Sequence, residues 1–155
     1  MLEAGMKAPD FALLDQEGNL RRLSDFFGRR MVLYFYSKNG TAGCNKQAQG
    51  FRDFFGEFEA LGVEVVGISK DSAVSHKKFA QKHELPFTLL ADTELAAAMA
   101  YDLWQQKKLY GKVHWGVVRT TFVIDEKGMI EKIFDKPKTA TNAQDVLEYF
   151  RAMGK

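Results

Sequence analysis

Residues Met31-Val32-Leu33-Tyr34-Phe35-Tyr36 form a run of apolar and aromatic side chains with no polar alternation. A strand with one wet face alternates, so this run predicts a strand buried on both faces, inside a layered fold. Val63 to Ile68 reads as a second buried strand. Between them, Cys44, Ala48, Phe51, Phe55 and Phe58 recur at i, i+4, i+7, i+11 and i+14. That spacing predicts one apolar face on a helix from about Ala42 to Leu61.

The flanking segments extend the alternation. Phe11–Leu14 and Leu20–Leu23, around Asp15-Gln16-Glu17-Gly18-Asn19, predict an N-terminal β-hairpin. Asp71–Lys82 and Thr93–Tyr101 read as helices, the second capped by Asp92 or Thr93, with Leu85–Leu90 extended between them. Val117–Ile124 and Met129–Phe134 read as a second hairpin, and Asn142–Met153 as a final helix. The prolines Pro9, Pro86 and Pro137 each fall near a boundary, and no repeat or linker interrupts the chain. The order predicts a single α/β domain over residues 1–155, a thioredoxin-like fold with a central mixed β-sheet flanked by helices.

Charge and composition exclude several functions. The net charge is +2, with Lys and Arg scattered among Asp and Glu, which argues against a nucleic-acid partner. No apolar stretch approaches the ~20 residues of a membrane span. Met1-Leu2-Glu3-Ala4-Gly5-Met6 lacks the charged and apolar regions of a secretory leader. One cysteine cannot close an internal disulfide, so a cytoplasmic, reducing compartment is expected.

That cysteine, Cys44, follows the polar loop Ser37-Lys38-Asn39-Gly40-Thr41 at the start of the expected helix. Unpaired amides and the helix dipole favour an anion there, so a thiolate is more accessible than in a core. With Thr41 as N-cap, Ala42, Gly43 and Cys44 become the first three helical positions. The Thr41 hydroxyl can then accept the Cys44 amide proton and donate its own to the sulfur, or serve as a cap alone. Because Cys44 lies on the apolar face, burial by itself would raise its pKa. A reactive thiol here needs a cation, and Arg119 is the candidate, interrupting an otherwise apolar or β-branched strand. The other reading is an arginine at the strand entrance that reaches solvent or pairs with a carboxylate. Lowering a thiol from ~8.5 to ~6 takes on the order of 3 kcal/mol, within reach of a helix terminus and one desolvated arginine.

Several stretches belong together: Tyr34-Phe35-Tyr36, Thr41, Gly43-Cys44, Lys46-Gln47-Ala48 and Phe51-Arg52-Asp53, then Gly67-Ile68-Ser69-Lys70-Asp71-Ser72 and Ser75-His76-Lys77-Lys78-Phe79. Leu85-Pro86-Phe87-Thr88-Leu89-Leu90-Ala91-Asp92, Tyr110-Gly111, Gly116, Arg119-Thr120-Thr121-Phe122-Val123-Ile124-Asp125 and Gly128 complete the set. Taken together, from about Lys7 to Phe150, they resemble the peroxiredoxins, in particular the bacterioferritin comigratory protein (peroxiredoxin Q) group. The resemblance implies a thioredoxin-like fold and an antioxidant peroxidase that reduces hydrogen peroxide and organic hydroperoxides. It makes Cys44 the peroxidatic nucleophile that becomes a sulfenic acid. It assigns Thr41 to the sulfur or peroxide, and Arg119 to the thiolate and the developing negative oxygen. Gln47 and Gly43 take substrate-orienting positions, Gln47 through the arginine. No metal or organic cofactor is implied.

The chain departs from that pattern in three places. Gln49 stands where many members carry a second, resolving cysteine, five residues after the first. Ser37 and Ala42 replace two prolines, so the loop is expected to be looser. Without a second cysteine the sulfenic acid needs an external thiol reductant: thioredoxin, glutaredoxin or glutathione. The alternative is a catalytically impaired member acting as a redox sensor or binding module, recognisable by a thiol pKa near the free value. A disulfide oxidoreductase would need a cysteine at Gln47.

A monomer or weak homodimer is expected. His76, His83 and His114 lack metal-ligand spacing and read as solvated surface residues, as do Lys77-Lys78 and Lys107-Lys108. Trp104, Tyr110 and Trp115 read as peroxide-pocket walls, core or a dimer contact.

Overall fold

The structure is a computed structural model that describes residues 2–153. Nine strands and five α-helices are described: β1 (Ala12–Asp15), β2 (Leu20–Arg22), β3 (Arg30–Phe35), α1 (Ala42–Asp53), α2 (Phe55–Ala60), β4 (Val63–Ser69), α3 (Ala73–His83), β5 (Thr88–Ala91), α4 (Ala96–Ala100), β6 (Trp104–Leu109), β7 (Lys112–Val117), β8 (Thr120–Ile124), β9 (Ile130–Asp135) and α5 (Asn142–Met153). Seven strands form one sheet in the order β2-β1-β5-β4-β3-β8-β9. The pairs β3–β4 and β4–β5 are parallel and the rest antiparallel, so the sheet is mixed as expected.

The apolar run of β3 divides cleanly between two cores. Met31, Leu33 and Phe35 pack with Phe26, Ala97, Tyr101 and Phe122 on one face. Val32, Tyr34 and Tyr36 pack with Phe51, Phe58, Phe79 and Val146 on the other, under α1, α2, α3 and α5. Period-two side-chain direction therefore makes one strand the shared wall of both layers. Gly67, opposite Tyr34 in the parallel register, is a packing requirement. A Cβ there would meet Tyr34 Cζ at 2.9 Å and Leu89 Cδ2 at 3.0 Å.

Several expected boundaries move. The helix expected over 42–61 breaks at Phe54 (φ −101°, ψ 7°), and α2 restarts just before Gly56, a poor helix former. The break leaves Phe51 and Phe58 fully buried but Phe55 only partly so. The helix expected from Thr93 begins at Ala96. Asp92 still serves it, its two carboxylate oxygens accepting the amides of Ala97 and Ala98 at 2.9 Å.

The strand expected over Val117–Ile124 is two, with Val118 and Arg119 at the bend between β7 and β8. The hairpin β6–β7 was not anticipated. Its turn, Tyr110-Gly111, has positive φ at both residues (52° and 77°), the geometry a two-residue hairpin loop demands. Trp104 and Trp115 stack across it with ring centroids 6.1 Å apart, while Tyr110 is exposed at the tip. None of the described helices is long and apolar enough to cross a membrane.

Candidate active site

The loop after β3 delivers the chain into α1, whose first intrahelical bond runs from the Asn45 amide to the Thr41 carbonyl. The amides of Gly43 and Cys44 precede that bond, and Cys44 lies in the first turn, a residue only 1% exposed. The Arg119 guanidinium and the Ser37 hydroxyl both reach its sulfur. Arg119 Nη2 donates to Sγ at 3.2 Å, and the Ser37 hydroxyl lies 3.4 Å away. The thiol is governed by opposed effects. Burial pushes its pKa up, but hydrogen bonds from the Lys38 backbone, Ser37, Thr41 and Arg119 more than offset this and bring it to about 7.

Thr41 is the N-cap by backbone conformation (φ −78°, ψ 148°), yet its side chain does not cap the helix. The hydroxyl has a single proton, donated to the Lys38 carbonyl at 3.0 Å; turned to the sulfur instead, it helps lower the thiol pKa. The local sequence could not choose between these acceptors, because the choice depends on where the loop carbonyl lies. Gly43 faces the same space: a Cβ there would come 3.4 Å from Thr139 Cγ2 and 3.8 Å from Arg119 Nη2.

Arg119 is held from behind. Its Nη1 donates to Gln47 Oε1, Gln47 Nε2 donates to Asn142 Oδ1 at 2.9 Å, and the Thr121 hydroxyl donates to the same oxygen at 2.8 Å. A guanidinium only donates, so Gln47 must turn its oxygen to Arg119 and its NH2 to Asn142. That order leaves Asn142 Nδ2 buried without a partner among the described residues. Gln47, one turn after Cys44 on the same helix face, thereby fixes the guanidinium against the sulfur.

Sequence reasoning missed Asn142, whose position at the start of α5 carries no local signal of a contact with α1. Replacing Asn142 with alanine is expected to strand the Gln47 amide and the Thr121 hydroxyl, costing about 1–3 kcal/mol. Thermal unfolding of the variant beside wild type measures that loss.

Two side chains expected at the surface belong here or nearby. Lys107 is partly buried, with Nζ donating to the Val117 carbonyl at 2.6 Å. Burial and Arg119 push its pKa down while Cys44 pushes it up, so it is a second cation within reach of the sulfur's field. His76 is fully buried rather than solvated. Among the described residues, no group of three or more His, Cys, Asp or Glu is arranged to hold a metal ion.

Residues 4–133 match the AhpC/TSA family. The chain is 43% identical to the putative peroxiredoxin bcp of Coxiella burnetii, over 94% of this chain and 97% of that protein. It is 41% identical to peroxiredoxin Bcp of Bacillus subtilis, over 98% and 97%. The solved structure of the Xanthomonas campestris bacterioferritin comigratory protein superposes with a TM-score of 0.91 at 31% identity, covering 99% of this chain and 100% of that one. Its sheet and helices thus carry a thioredoxin-like arrangement, and this chain belongs to the AhpC/TSA family, among its peroxiredoxins.

Proposed function

We propose that this protein is a one-cysteine thiol peroxidase in which Cys44 attacks hydroperoxides and an external thiol restores it. The observation that carries the reading is the Arg119 guanidinium held 3.2 Å from the single cysteine sulfur. With a pKa of about 7, roughly half the thiol is ionised at neutral pH, against a few per cent for a free cysteine.

The thiolate attacks one oxygen of the O–O bond. An S–O bond forms, the O–O bond breaks, and the sulfur gives up two electrons. The departing oxygen leaves as alkoxide or hydroxide and takes a proton from water. Arg119 stabilises the negative charge first on sulfur and then on that oxygen. Gln47 keeps the guanidinium in place, Gly43 leaves room in front of it, and Thr41 and Ser37 supply hydroxyls beside the sulfur.

The product is a Cys44 sulfenic acid. A thiol then condenses with it, releasing water and forming a mixed disulfide. A second thiol displaces Cys44 as thiol and leaves with the first as a disulfide. Thioredoxin, glutaredoxin or glutathione would serve, and a reducing cytoplasm would supply them. The Xanthomonas relative is described for its alkyl peroxide reduction activity, which makes organic hydroperoxides natural substrates to try beside hydrogen peroxide.

One equivalent of peroxide is expected to add a single oxygen to Cys44, captured by a sulfenic-acid reagent and located by mass spectrometry. Turnover should then require an added thiol, and assays with each reductant in turn identify the one used. Absence of the trapped adduct at Cys44 would overturn the mechanism.

A further inference from the structure

Asn39 sits in the loop between β3 and α1, next to Lys38, whose backbone hydrogen bond helps hold the thiolate. Three of its groups are tied down. Its backbone amide donates to Asp71 Oδ2 at 2.9 Å, and its Oδ1 accepts from the Tyr36 hydroxyl. The two hydrogens on Nδ2 have separate acceptors, Ser75 Oγ at 3.2 Å and His76 Nδ1 at 3.0 Å. Asp71 is itself held by the Ser69 hydroxyl at 2.6 Å.

His76 makes this arrangement selective. Its Nε2 lies 2.9 Å from the Leu90 carbonyl, which can only accept, so the proton resides on Nε2 and Nδ1 is an acceptor. Only that neutral form matches an amide donating to Nδ1. A protonated ring would set its N–H against the Asn39 NH2. Asp71 from the β4–α3 connection and Tyr36 just after β3 are, among the described residues, the titratable groups facing the ring. Burial pushes the His76 pKa down, which favours the form the loop needs.

We propose that Asn39 is a positioning residue for the reactive sulfur: clamped by His76, Asp71 and Tyr36, it fixes the loop so that Lys38 and Ser37 meet Cys44. The inference rests on the reading of Cys44 as a functional thiolate, but its test uses no peroxide. In Asn39→Ala, the pH dependence of Cys44 alkylation should shift upward by about half a unit or more, roughly a threefold loss of thiolate below the pKa.

A second variant reads the other end of the clamp. In Asn39→Asp, the carboxylate cannot donate to Nδ1, so His76 must bring its own proton. Imidazole nitrogen NMR should show a cationic ring at pH values where the wild-type ring is neutral, a change that loosened packing alone would not produce. An alkylation profile unchanged in Asn39→Ala, or a His76 titration unchanged in Asn39→Asp, would overturn the clamp. Failure of wild-type protein to consume peroxide would instead refute the enzymatic reading and leave this result intact.

Discussion

Cys44→Ser is expected to lose peroxide turnover entirely, down to the rate of the uncatalysed mixture. A serine hydroxyl stays protonated at neutral pH and has no accessible oxidised state, so neither the nucleophile nor the two-electron donor survives. The substitution replaces one small side chain by another, at a site where Ser37 and Arg119 can hydrogen-bond the new oxygen. The variant should therefore remain folded, and circular dichroism with thermal unfolding checks this. Peroxide consumption at the wild-type rate by the folded variant would eliminate the sulfur as the reacting atom.

Arg119→Ala carries the second large effect, in two separable parts. The first concerns ionisation. Burial of Cys44 continues to raise its pKa, while one of the hydrogen bonds opposing it is gone, so the thiol must rise above about 7. Because the thiolate is the nucleophile, the rate climbs with pH through the thiol pKa and then levels off. The whole profile of the variant should shift to higher pH.

The second part survives at pH values where both proteins are fully ionised. There, on the proposed mechanism, the departing oxygen lacks its guanidinium, and the rate should remain roughly a hundredfold below wild type. Stopped-flow peroxide kinetics across pH resolve the two. Full recovery at high pH would restrict Arg119 to tuning the thiol, and an unshifted profile at wild-type rates would remove it from the site.

Much of this site was legible before any tertiary information. Cys44 falls in the first turn of α1 because a polar, glycine-bearing loop gives way to an apolar 3.6-residue period, and both signals are local. The two-faced burial of β3 followed from its unbroken apolar run in the same way. Arg119 drew notice as a cation in an apolar setting, although it lies at a bend between strands rather than within one.

The sequence alone, then, determined where strands and helices alternate and which helix start carries the thiol, since backbone periodicity and capping are decided within a few residues. Only the tertiary structure decided what meets that thiol. Arg119 comes from 75 residues away along the chain, and Gln47 finds its backing in Asn142, 95 residues on. Likewise, the Thr41 proton goes to a loop carbonyl, Lys107 turns onto Val117, and His76 disappears beneath the loop it steadies. Each depends on which polar groups the packed layers leave within hydrogen-bonding distance, a consequence of sheet order and helix docking that local periodicity does not encode.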